Sequence, residues 1–214
     1  MSEKLTKEVA TDKIIDFMRY EEVLQLKTPD QLWKYMHENI KYGWTNKKGE
    51  FREYNDSRQH KEYYLHSPQE TVERKSGICG DQVLLEKAWF NHHNIENHII
   101  SFGFKDDNGK RIGGGHVFLV YIMDGKYYYF ENAFAPCANI IEFNTLKELI
   151  GTVIAAYLTA TNNTEKTNKL YVTIDGHLSI GNDTNKNYEE TINDKDIYEN
   201  YIKDVKIEIK KFLS

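Results

Sequence analysis

The feature that most limits what this chain can become is the run from Val117 to Met123, seven residues with no polar interruption beyond one tyrosine hydroxyl. A strand with one wet face alternates apolar and polar side chains, so an unbroken run bounded by turn residues predicts a central strand covered on both faces. Asp124-Gly125 follows at once, and Lys126 to Asn132 supplies a second strand, the signature of a tight hairpin. A two-residue loop pairs Met123 with Lys126, hence Phe118 with Glu131 and Val117 with Asn132. His116 and Glu131 then become diagonal neighbours on one face, about 7–8 Å apart at the backbone. A three-residue loop or a bulge would shift the pairing by one and bring Asn132 round instead.

Other elements follow from caps and periodicity. His98 to Phe104 reads as a strand leading to turn chemistry at Asp107-Asn108-Gly109, and Leu170 to Ile174 as a further strand. Thr28-Pro29-Asp30-Gln31 and Ser67-Pro68-Gln69-Glu70 each combine a capping hydroxyl, a proline at the first helical position and a Gln or Glu three after the cap. They predict one helix to about Asn39 and a short one ending near Gly77. Val83, Leu84, Leu85, Ala88 and Trp89 recur at helical spacing after Gly80, and Leu146, Leu149, Ile150, Val153, Ile154, Tyr157 and Leu158 do so behind the Thr145-x-x-Glu148 cap. Thr11 to Lys27 suits one or two short amphipathic helices. The polar stretch from Thr45 to His66 reads as a long loop placed to shape a substrate cleft. Gly181 to Asp194 reads as a polar linker, and Ile197 to Leu213 as a terminal helix or strand.

Length favours one domain: a chain of 214 residues can bury a real core. The expectation is a single domain over 1–214, with its core at about 30–135 and a helical or strand extension over 142–214. A net charge of -5, from 28 basic and 33 acidic side chains, offers no basic excess for phosphates and argues against a nucleic-acid partner. The first ten residues lack the apolar core of a signal peptide, and no run approaches the roughly twenty apolar residues that span a bilayer. A cytoplasmic protein without membrane association is expected, with both cysteines, Cys79 and Cys137, reduced. His92, His93 and His98 lack a ligand pattern and read as exposed helix-end histidines, so no metal and no organic cofactor is expected.

The chemistry concentrates at Gly77-Ile78-Cys79-Gly80-Asp81, which puts a thiol in the first turn of a helix, where unpaired amide N–H groups and the positive dipole end favour an anion. The flanking glycines let another backbone approach the sulfur. Taken alone, the segment is equally a buried, inert cysteine at a helix start. Gly113-Gly114-Gly115-His116 delivers a histidine at the start of the buried strand, where it can face a helix end. The glycine run precedes a strand and does not open a helix, so it is not a phosphate cradle. A carboxylate on one ring nitrogen would leave the other to face Cys79, which is triad logic with sulfur as nucleophile. Cys137, behind Pro136, reads as a core or loop thiol, and Asp81 and Gln82 as first-turn helix stabilisers.

As an ordered set, these segments resemble the transglutaminase-like superfamily: a Gly-x-Cys helix start, a His opening a strand, and an acidic residue ending the next strand. The resemblance covers roughly residues 30 to 135. It implies an α+β, papain-like fold with N-terminal helices packed on an antiparallel sheet, and Cys79, His116 and Glu131 as nucleophile, base and orienting group. The family's third member is usually Asp, sometimes Asn, whereas this chain offers Glu131. The resemblance also implies an oxyanion hole, built partly from the Cys79 backbone N–H and partly from an upstream donor. Trp44 has an indole N–H for that role, and also reads as a core or rim aromatic. The implied activity is thiol acyl transfer on a peptide or protein substrate, with hydrolysis of a peptide or side-chain amide as first choice. True transglutamination and a non-catalytic binding module are the alternatives.

Overall fold

The computed structural model describes residues 18–55 and 59–175. The expected linker at 181–194, the terminal element at 197–213 and the first seven residues, 11–17, of the first amphipathic stretch lie outside the described residues. A short helix α1 (Tyr20–Val23) precedes α2 (Pro29–Asn39), then come two-residue strands β1 (Lys41–Tyr42), β2 (Trp44–Thr45) and β3 (Phe51–Arg52). A short helix α3 (Gln59–Glu62) leads to α4 (Pro68–Arg74), β4 (Ser76–Gly77) and the long α5 (Cys79–His92). Strands β5 (Asn97–Lys105), β6 (Arg111–Met123), β7 (Lys126–Glu131) and β8 (Asn139–Phe143) follow, then α6 (Leu146–Ala160) and β9 (Leu170–Ile174).

The caps act as their residue types require. Thr28 accepts from the Gln31 N–H, Ser67 from Glu70 in a full capping box, and Thr145 from Glu148. Each satisfies an otherwise orphaned amide, worth typically about 1 kcal/mol. The helix after Ser67 stops at Arg74, because Lys75 turns left-handed at φ 52° and its N–H bonds back to Val72. The stretch from Thr45 to His66 is not one long loop. It contains the β2–β3 hairpin, registered Trp44 to Arg52 and Thr45 to Phe51, and α3. Ladder hydrogen bonds need no apolar side chains, so strands of two residues in polar sequence leave no hydrophobic pattern to read.

Five strands form an antiparallel sheet in the order β8-β7-β6-β5-β9, which puts β6 at the centre as its apolar run requires. The two faces hold separate cores. Phe118, Val120 and Tyr129 pack with Ile100, Phe102 and Leu170 beneath Leu149, Ile150, Val153, Ile154 and Leu158 of α6. Val117, Leu119, Tyr121 and Phe130 pack on the other face with Leu32 and Met36 of α2, Val72 of α4 and Val83, Leu85, Trp89 and Phe90 of α5. The fold is α+β with helices on both faces of an antiparallel sheet. Among the described residues no helix is long and apolar enough to cross a membrane.

The hairpin closes on Asp124 and Gly125, both at positive φ, and the pairing runs from Met123–Lys126 to Leu119–Phe130 without a slip. One boundary differs from the sequence reading. Strand β6 begins at Arg111, so His116 lies inside the strand and not at its start. The glycine run is built into the ladder, with a register shift between Gly103 and Lys105 of β5 opposite it. Gly115 sits at φ 122°, and a Cβ there would come 2.4 Å from the Phe102 carbonyl oxygen. Gly115→Ala should therefore destabilise the protein by about 2 kcal/mol or more, read as a lowered urea midpoint at unchanged slope.

Candidate active site

The site lies at the end of the sheet where β6 enters and β7 leaves, beneath the first turn of α5. Ser76 and Gly77 pair in parallel with Lys41 and Tyr42, which fixes the approach of the chain to Cys79, the first residue of α5. Asp81 holds that turn in place. Fully buried, it accepts from the Ile78 N–H at 2.8 Å on one oxygen, and from the His66 N–H at 2.8 Å and the Tyr63 hydroxyl at 3.1 Å on the other. It is thus more than a first-turn stabiliser: it ties the segment at 63–66 to the helix that carries the thiol. Burial raises its carboxyl to about 7 despite these donors. Gln82 works alike, donating to the Gly77 carbonyl at 2.9 Å and accepting from the Asn132 side chain at 2.7 Å.

The Cys79 sulfur lies near enough to the His116 imidazole to help raise its pKa, and the imidazole Nε2 is bound to Glu131 Oε2. With Nε2 occupied, Nδ1 is the nitrogen left for the sulfur. The other Glu131 oxygen accepts from the Ala133 N–H at 2.5 Å and the Phe134 N–H at 2.9 Å, and the Glu131 carbonyl accepts from the Trp33 indole at 2.8 Å. The longer acid is therefore held at both carboxylate oxygens, one by the imidazole and the other by the turn that follows β7. Asn132 faces Gln82 instead of the imidazole. Tyr157 of α6 stacks on the His116 ring at 5.3 Å and 13°, and its hydroxyl donates to the Gly115 carbonyl at 3.0 Å.

Burial alone would push the His116 pKa down, but the Glu131 carboxylate and the Cys79 sulfur outweigh it and raise it to about 10. His66, also buried, moves the opposite way, to about 4, because burial and the Arg74 cation both disfavour its charge. His66 bonds to Thr45, which also accepts from Arg74 at 2.7 Å. The two histidines thus differ by their neighbours: only His116 has both a thiol and a hydrogen-bonded carboxylate.

Trp44 is fully buried, and its indole N–H has no hydrogen-bond partner among the described residues. Cys137, in a single turn of 3-10 helix over Ala135–Cys137, is half-buried, and burial and the Glu131 charge raise its pKa. His92 ends α5 and is exposed, as read from sequence, whereas His93, the C-cap, is half-buried and bonds to the Leu24 carbonyl at 3.0 Å. His98 instead lies in β5 and binds Asp175 at 2.7 Å. Among the described residues no group of three or more His, Cys, Asp or Glu side chains could hold a metal ion.

Sequence reasoning missed three residues here. Glu86 is buried on α5, two turns beyond Cys79, and burial followed by the Glu131 charge raises its carboxyl well above the ordinary range. Its spacing of seven from Cys79 put it on the same helix face as the thiol and was a readable signal. Tyr157 was read only as part of the apolar stripe of α6. Tyr42 carried no local signal, because its place depends on the β1–β4 pairing.

The raised pKa of His116 has a defined effect on stability. The folded state keeps this proton where an unfolded histidine, near 6.5, releases it. The contribution is therefore complete below about pH 6.5 and is lost as pH rises through about 10. Glu131→Gln should destabilise the protein by about 3 kcal/mol at the low end of that window, with the difference from wild type shrinking toward pH 10 in urea titrations.

A family model described as a transglutaminase-like domain matches residues 12–152. No curated protein matches the chain.

Proposed function

The chain belongs to the transglutaminase-like domain family, and from that footing we propose that it is a cysteine-dependent acyl-transfer enzyme that hydrolyses a peptide or side-chain amide, with Cys79, His116 and Glu131 as its triad. The observation that carries the reading is the chain of contacts from the Cys79 sulfur through the His116 imidazole to a Glu131 carboxylate held at both oxygens. This matches what nucleophilic catalysis by a thiol requires: a base in contact with the sulfur, and a third group that fixes the base.

In the first half-reaction the Cys79 thiolate attacks the carbonyl carbon, and the C=O electron pair moves onto oxygen. The Cys79 backbone N–H and the unpartnered Trp44 indole N–H are the proposed donors to that oxygen. Collapse expels the amine, which takes its proton from the His116 imidazolium, and leaves a thioester on Cys79. In the second half-reaction water gives a proton to His116 and attacks the thioester, releasing the acid and the thiol. The high pKa of His116 suits the first half-reaction, because the proton destined for the leaving amine is held through neutral pH.

Incubating the protein with a mixture of short glutamine-containing peptides, with and without excess primary amine, and reading the products by mass spectrometry tests the proposal. The expected outcome is hydrolysis that Cys79→Ala abolishes and His116→Ala lowers by at least about a hundredfold, with little amine incorporated. Products dominated by amine adducts would assign the protein to transglutamination. An absence of any Cys79-dependent product across such a mixture would favour a binding module.

A further inference from the structure

Tyr42 sits where the proposed acyl-transfer reaction has most need of a polar group. Strand β1 pairs in parallel with β4, placing Tyr42 beside Gly77, and Cys79 opens α5 two residues later. A backbone bond from the Lys41 N–H to the Lys75 carbonyl at 2.9 Å secures the same junction. Trp44 follows two positions later, at the start of β2. They differ in access, Trp44 being fully buried and Tyr42 half-buried.

Three of the other tyrosine hydroxyls around the thiol have partners, and Tyr54, which has none among the described residues, is exposed. Tyr157 donates to the Gly115 carbonyl, Tyr63 to Asp81, and Tyr129 is hydrogen-bonded to Glu131. The Tyr42 ring packs on Tyr54 at 5.1 Å, but its hydroxyl has no hydrogen-bond partner among the described residues. That hydroxyl is close enough to Cys79, Glu131 and Tyr157 for their charges to act on it. Burial and these surroundings both disfavour phenolate, so the group stays a donor.

We infer that Tyr42 is a further catalytic residue: its phenolic O–H donates a hydrogen bond to the carbonyl oxygen that becomes negative when Cys79 attacks. No proton is transferred in this step. The S–C bond forms, the C=O pair moves to oxygen, and the hydroxyl stabilises the charge beside the Cys79 N–H. The inference rests on Cys79 being the nucleophile of an acyl transfer, and its test separates the two.

p-Nitrophenyl acetate acylates a reactive thiol through a tetrahedral oxyanion, whereas iodoacetamide alkylates the same thiol by displacement at a saturated carbon, with no oxyanion. Tyr42→Phe keeps the ring and removes the donor. It should slow Cys79 acylation by about ten- to a hundredfold, read as p-nitrophenolate release after subtraction of the Cys79→Ala blank, while leaving Cys79 alkylation unchanged. Tyr42→Met, which lacks ring and hydroxyl, should lose acylation to the same extent. Equal acylation in wild type and Tyr42→Phe overturns the inference and leaves the proposed function standing. Equal losses of acylation and alkylation, or a loss confined to Tyr42→Met, assign Tyr42 to packing and also overturn it. Wild type no faster than the Cys79→Ala blank removes the premise itself.

Discussion

The β6–β7 hairpin closes on two residues at positive φ, Asp124 and Gly125, so Met123 faces Lys126 and every later pair is fixed. Side chains in a strand alternate faces, and a slip of one residue would exchange them all. With this register, Phe118, Val120 and Tyr129 go to the α6 core, and Leu119, Tyr121 and Phe130 to the α5 core. The same register sends His116 and Glu131 to one face at the open end of the hairpin, close enough to bond. Packing on both sides of the sheet and the geometry of the site thus have a common origin in one tight turn. Moving His116 away from Glu131 by a register change would require two hydrophobic cores to be rebuilt.

A second constraint holds the thiol's side of the site. Cys79 begins α5, and its turn is anchored by Asp81 to the 63–66 segment and by Gln82 to Asn132 at the end of β7. The thiol and the imidazole come from opposite sides of the sheet end, and the Gln82–Asn132 bond ties the first turn of α5 to the residue that follows Glu131. Buried acids surround this junction: Glu131 bonds to the imidazole, while burial raises both Asp81 and Glu86. His116 retains its proton as well, and among these groups it is the one that carries a positive charge when it does so.

Much of this is written locally in the sequence. The capped starts at Thr28, Ser67 and Thr145, the central apolar run and the turn residues each speak for their own neighbourhood, and the structure carries elements at each. The pairing of His116 with Glu131 is also local, because a hairpin register depends on its loop. What was not readable depends on contacts far apart in the chain. The β1–β4 pairing that brings Tyr42 to Cys79, the role of Asp81 as an anchor for Tyr63 and His66, and the stacking of Tyr157 on His116 all join separate segments. The β2–β3 hairpin inside the polar stretch was missed for another reason, since strands of two residues are too short for any periodicity to register.

The central claim is that Cys79 is activated by His116, and selective alkylation tests it most directly. At pH 6.5, native protein would be treated with iodoacetamide, and the modification of Cys79 and of Cys137 would be followed separately by peptide mass spectrometry. Cys137 serves as the internal standard, because burial and the Glu131 charge both disfavour its thiolate. The account predicts that Cys79 reacts at least about tenfold faster than Cys137, and that His116→Ala removes the advantage. Equal rates for the two thiols in wild type, or an advantage that survives His116→Ala, would contradict it.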